Sequence, residues 1–304
     1  MVKFIGKRVF SAVLTLFIIC TLTFFLMNMI PGGPFLNEKT SDKTLTVINE
    51  KYGLDKPLTE QYLNYMKCLL HGDLGISFKH QGFTVNQIIA MKFPVSAKLG
   101  GLAMLVAIIA GVTLGSVAAA NRNRFIDRFI MFVCTLGIAV PGFVIGTLLL
   151  YQFGVHWKLL PFIGLKHPLN YIMPVLTLSF LPLSYITRLM RSNMLDALDQ
   201  DYVRTARAKG LSPSAIIFKH VIRNTIIPVI TYIGPMTAAI LTGGFVVERI
   251  FEIPGLGKYF IDSITNRDYT MIMGTTIFLA ALVITANLIT DILYSIADPR
   301  IKLE

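Results

Sequence analysis

Histidine, cysteine and glycine-lysine patterns are where a chain's chemistry usually shows, and here none of them closes on a site. The five histidines, His71, His80, His156, His167 and His220, are scattered, and no H-E-x-x-H pair sets two of them one helical turn apart to hold a metal. Cys20 and Cys134 lie in apolar runs and Cys68 stands alone between them, so the three cysteines offer no disulfide framework. "GLGKYF", 255–260, has a Gly-Lys pair but lacks the earlier glycine of a phosphate loop and a Ser or Thr after Lys258. The expectation is a chain without catalytic residues, without a metal site and with no cofactor of its own.

One stretch does combine charge, small residues and turn formers: "DYVRTARAKGLSPSAIIFKHVIRN", 201–224. Residues 188–225 hold seven Lys or Arg and three Asp, and at about 3 kcal/mol per charge at mid-bilayer their insertion would cost about 30 kcal/mol. They must lie in water. Asp199 and Asp201 come first and Arg204, Arg207 and Lys209 later, so acid meets the positive end of a short helix and base its negative end. Gly210 is the expected stop, Ser212 the N-cap of a second helix, and Pro213 its first residue. Ala206, Ala208 and Gly210 would let another surface approach the first helix closely. A two-turn helix is marginal by itself. Two readings stay open: a piece held in a partner's groove, or an amphipathic loop on lipid headgroups.

The elements that position this stretch are spans. With 54% hydrophobic and 15% charged residues, the chain is too apolar for a soluble domain. Runs of about 20 residues cross roughly 30 Å of hydrocarbon, and six candidates occur, at 9–30, 97–120, 129–153, 171–187, 226–247 and 271–294. Pro141, Pro174, Pro182 and Pro235 predict kinks and do not veto the spans. The apolar core of the first run exceeds that of a signal peptide, which predicts a retained helix. Polar span positions such as Thr113, Ser116, Thr177, Ser179, Thr231 and Asn287 suit either solute contact or helix packing.

Lys and Arg set the orientation. Fifteen lie in the N-terminal tail, the 121–128 loop, 188–225 and the C-terminal tail, against five in the loops 154–170 and 249–270. Both termini are therefore expected in the cytoplasm. Residues 31–98 carry eight lysines and no arginine, but segments beyond about 60 residues translocate largely regardless of charge. The net charge of +11 sits beside spans, where anionic lipid attracts it, and this argues for membrane lipid and against nucleic acid as partner.

Within the outer segment, "LTEQYLNYMKCLL" places Tyr62, Tyr65, Met66 and Leu69 on one stripe with Thr59 as N-cap, and "TVNQIIAMKF" reads as a second short helix capped by Thr84 and stopped by Pro94. "ERIFEIPGLGKYFIDSITNRDY" turns at Pro254, Gly255 and Gly257 and returns as a short helix, and Glu248 and Arg249 could pair or face solvent.

"YVRTARAKGLSPSAIIFKHVIRNTIIPVIT" resembles the cytoplasmic coupling loop of binding-protein-dependent ABC importer permeases, in the version of the oligopeptide and dipeptide B-type subunits. "YGLDKPLTEQY", "LLHGDLGIS", "FPVSAKL", "GFVVERIFEIPGLGKYFIDSITNRDY" and "DILYSIADPRIK" resemble the same family in the same order, so the likeness covers essentially the whole chain. It implies an all-α integral membrane protein with the six-transmembrane-helix permease fold of a type I ABC importer and an extracytoplasmic helical insertion after the first helix. The expected parts are 1–30, tail and first span; 31–96, outer segment; and 97–304, the permease core with the coupling loop 188–225. In the family's EAA motif, Glu-Ala-Ala is followed by three residues and Gly. Set on Gly210, this puts Arg204, Thr205 and Ala206 under Glu-Ala-Ala, so that the second Ala and the Gly match, and Pro228 falls later than the pattern has it.

The resemblance implies that Asp201, Arg204, Thr205, Ala206, Arg207, Ala208, Lys209, Gly210 and Leu211 couple to an ATPase, and that Glu248, Pro254, Gly255 and Gly257 form an outer gate. It implies as partners a second homologous permease subunit, two ABC ATPase subunits that use ATP and Mg, and an extracytoplasmic substrate-binding protein, all at a bacterial inner (plasma) membrane. The cargo would be oligopeptides or dipeptides; nickel, glutathione or another small solute is the alternative within the same branch. An ion-driven secondary transporter would place ionisable groups near mid-membrane, where these spans have almost none and Asp291 lies close to an end. A membrane-embedded enzyme lacks its catalytic constellation.

Overall fold

The computed structural model describes residues 2–30, 53–80, 82–212 and 215–297, and apart from one antiparallel bridge between Ile76 and Thr84 the regular elements among them are helical. They form two compact units: the chain up to Pro94 with Gly255–Thr285, and Val95–Pro254 with the chain from Ala286.

In the first unit, helix α1 (Val2–Met29) carries the apolar span Gly6–Met29. Helix α2 (Leu58–Leu70) follows Pro57, whose carbonyl accepts from Glu60 N–H at 2.9 Å and Gln61 N–H at 3.1 Å. Thr59 therefore lies inside the first turn and is not the cap: proline's fixed φ already starts the helix one residue earlier. The expected stripe binds α2 to α1. Tyr62 Oη and Thr21 Oγ1 share a hydrogen bond of 2.8 Å, and Tyr65 stacks on Phe24 with ring centres 5.6 Å apart. Burial there pushes the Tyr65 phenol pKa up.

Helix α3 (Val85–Ala120) starts where expected, with Gln87 N–H donating to Thr84 Oγ1 at 3.2 Å and Thr84 N–H to Gln87 Oε1 at 3.0 Å. It does not stop at Pro94. The short outer helix and the second span are one helix of 36 residues with Pro94 inside it. Proline removes one backbone bond and the helix runs on, as neighbouring helices allow in membrane proteins.

Helix α4 (Phe125–Ala139) and helix α5 (Gly142–Leu149), the latter prolonged by a π-helical stretch Leu150–His156, replace the kinked third span by a pair bent by 107°. Val140, ahead of Pro141, is extended at ψ 124°, because a residue before proline is driven out of the α region. After a 3₁₀ turn Pro168–Tyr171 comes α6 (Ile172–Leu198), which keeps Pro182 inside it. The polar stretch supplies α7 (Asp201–Ala208), a π-helical stretch Ile216–Val221 and α8 (Ile222–Thr225). The fifth expected span is α9 (Ile227–Gly243), 17 residues, followed across Gly244 by α10 (Phe245–Ile250). Helix α11 (Leu256–Asn266) ends at Arg267 in the left-handed region, φ 56°, and α12 (Tyr269–Ala297) closes the described chain. Among the described residues four helices are long and apolar enough to cross a membrane, five if the bent pair is one span.

Small residues let two neighbours, α3 and α4, approach α6 closely. A Cβ on Gly111 would lie 2.7 Å from Ile186 Cγ2, one on Gly115 2.6 Å from the Thr187 carbonyl, and one on Gly137 against Ser184. Such close backbone approach is how membrane helices gain dispersion energy where lipid supplies no hydrophobic drive.

Candidate coupling site and outer turn

Helix α7 carries acid in its first turn, Asp201, and base in its last, Arg207. Its end is a Schellman turn: Leu211 N–H donates to the Ala206 carbonyl at 3.3 Å and Gly210 N–H to the Arg207 carbonyl at 2.9 Å, with Gly210 at φ 75°. Ser212 then caps as expected, taking Ala215 N–H on Oγ at 3.3 Å; Pro213 lies outside the described residues.

Nine residues were expected to face a partner, and eight do lie exposed: Asp201, Arg204, Thr205, Arg207, Ala208, Lys209, Gly210 and Leu211. Ala206 does not. It is 7% exposed and packs with Val203 against Met190 and Met194 of α6 and Ile216 and Val221 beyond the turn. A helix this short has one face to bury, and Val203 and Ala206, three apart, form it. Arg204 reaches Asp201 at 3.4 Å with both side chains in solvent, a pair that contributes little.

Sequence reasoning missed what lies beneath. Arg191 of α6 forks onto Asp127 of α4, Nε to Oδ1 at 2.6 Å and Nη2 to Oδ2 at 2.8 Å, and Asn123 N–H adds a bond to Oδ2 at 2.9 Å. The signal was one acid in the basic loop "NRNRFIDR". A second missed junction joins two quoted motifs. Asp268, buried ahead of α12, accepts from Ser77 Oγ, Phe78 N–H at 3.1 Å, Lys79 N–H at 3.2 Å and Met271 N–H at 3.1 Å. The Asp before an apolar run was a readable helix cap.

At the outer turn, Arg249 pairs with Glu252 at 4.0 Å, while Glu248 is buried. Ile253 N–H donates to the Glu248 carbonyl at 2.8 Å, which closes the turn and sends Phe251 and Ile253 into the core. Pro254 is exposed, and Gly255 and Gly257 are buried at the start of α11. Glu248 and Pro254 belong to one compact unit, Gly255 and Gly257 to the other. The hydroxyls of Thr113, Ser116, Thr177, Ser179 and Thr231 donate to carbonyls three or four residues back in their own helices.

The family described as "Binding-protein-dependent transport system inner membrane component" matches residues 111–303, and its N-terminal companion matches 1–100. The dipeptide transport system permease protein DppB of Bacillus subtilis is 45% identical over 100% of this chain and 99% of its own length. DppB of Lactococcus lactis is 44% identical over all of both chains, and the oligopeptide transport system permease protein OppB of Salmonella typhimurium is 41% identical over 99% and 100%. Among solved structures, the methionine ABC transporter MetNI matches with a TM-score of 0.56 at 13% identity, over 70% of this chain and 97% of that one. An amino acid ABC transporter matches at 0.53 and 18% identity, over 71% and 95%. These two likenesses establish the fold, that of ABC importer permeases; with family matches along nearly its whole length, the chain belongs to the inner membrane components of binding-protein-dependent transport systems.

Proposed function

We propose that this chain is the permease subunit of an ABC importer for oligopeptides or dipeptides, forming half of the translocation pathway beside a second, similar permease. The cargo follows the relatives, whose names specify dipeptide and oligopeptide transport. The observation that carries the coupling role is the exposed polar face of α7, whose Val203 and Ala206 seat it against Met190 and Met194 of α6. Each of two ATPase subunits binds such a loop, one of them this chain's, and ATP and Mg belong to those subunits. A substrate-binding protein delivers cargo from outside, and the turn bearing Glu248, Pro254, Gly255 and Gly257 borders the mouth of the pathway. Both termini lie in the cytoplasm of a bacterium, 1–30 leading into an outer segment 31–96 and a core 97–304.

Deleting 204–211 in the chain expressed with its ATPases should leave it in the membrane and abolish ATP-driven uptake. Ala206 is part of the core, so a surface variant, Arg204→Glu with Arg207→Glu and Lys209→Glu, accompanies the deletion. It should keep the membrane level and lose ATPase capture. Normal uptake by either variant overturns the assignment.

A further inference from the structure

Asp127 is a buried charge to which the coupling reading gives no task. It is 2% exposed in the first turn of α4, with both prongs of Arg191 and the Asn123 amide on its carboxylate. Such a pair is poor ground for stability, since apolar side chains of similar volume would hold two helices as well. Both residues belong to stretches expected on the cytoplasmic side, at the end of the bundle next to α7, so the pair needs a role other than spanning the bilayer.

Its place in the fold indicates which function. Arg191 lies in the turns of α6 that carry Met190 and Met194, and these pack under Val203 and Ala206 of α7. A displacement of α7 therefore enters α6 where Arg191 stands. Beyond the fork, α4 runs to the 107° break at Pro141. Apolar contacts between α4 and α6 are non-directional, whereas a two-bond fork fixes both distance and orientation. Asn123, at φ 63°, ties the α3–α4 loop to the same carboxylate.

We propose that the Asp127–Arg191 fork is the strut that carries displacement of α7 from α6 into α4, which makes both side chains positioning residues for coupled transport. This rests on the coupling role of α7 given above. The test uses the complete transporter in proteoliposomes, measuring assembly, ATPase rate and uptake per ATP. Asp127→Leu with Arg191→Met removes the fork without leaving an orphaned charge. It should assemble and hydrolyse ATP, with uptake per ATP falling about tenfold, and the reversed pair, Asp127→Arg with Arg191→Asp, should recover most of the loss. Unchanged uptake per ATP overturns the strut, and so does a joint loss of assembly, hydrolysis and uptake, which marks a merely structural pair. Should the double variant not reach the membrane, Arg191→Lys decides by the same ratio, since it keeps the charge and loses the fork. A wild-type complex without ATP-driven uptake would instead sink the coupling role of α7.

Discussion

Ala206 and Ala208 stand two residues apart on α7 and meet different surroundings, one in the core and one in solvent. Ala206→Leu should overpack the seam with α6 and cost about 1–3 kcal/mol, read as a lower unfolding midpoint in detergent. Ala208→Leu should stay within about 0.5 kcal/mol of wild type and yet weaken ATPase capture, because the side chain would stand where the partner approaches. Equal effects of the two on stability would contradict the assignment of faces. The ends of α7 were legible because capping is local: Gly210 takes the left-handed conformation and Ser212 supplies an oxygen to the next turn. Which alanine turns inward was not. In two turns, Tyr202 and Val203 are adjacent large residues of which Val203 alone turns inward, and α6 had to be in place before Ala206 could be assigned to that face.

At the scale of elements, the spans were readable because about 20 apolar residues admit few alternatives to a membrane helix, but their ends and bends depend on neighbours. Pro94 and Pro141 show the difference. The first, expected to stop a helix, sits within a continuous one of 36 residues, and the second, expected only to kink a span, ends one. What separates them includes the residue after the ring: Pro141 is followed by Gly142, a poor helix former, and Pro94 by Val95. The glycines of α3 divide in the same way. Gly101 has nothing within 4 Å of an added Cβ, whereas at Gly115 that atom would lie 2.6 Å from the Thr187 carbonyl and 2.7 Å from Met190 Cβ. Gly101→Ala should therefore stabilise by up to about 1 kcal/mol through backbone entropy. Gly115→Ala should destabilise by about 1–3 kcal/mol because α3 and α6 must part. Thermal unfolding of the purified chain measures both, and a gain at Gly115 would contradict the close approach.

For the whole molecule, the proposed orientation rests on where Lys and Arg are kept. The segments assigned to the cytoplasm hold fifteen of the 28 basic residues, while 31–98 holds eight lysines and no arginine, an arrangement that charge counting over short loops reads as both termini inside. The long segment cannot settle its own side by charge, so a direct probe is needed, and the chain carries one. Cys68 on α2 is exposed, while Cys20 and Cys134 are buried in α1 and α4. In spheroplasts a membrane-impermeant maleimide should label the wild-type chain at one thiol, and Cys68→Ser should remove the signal. Opening the membrane should add nothing, because the other two thiols are shielded by helices and not by the bilayer alone. Labelling that appears only after lysis would put α2 in the cytoplasm. The basic stretch 188–225 would then lie outside, out of reach of any ATPase, and the coupling role of α7 would fall with the orientation.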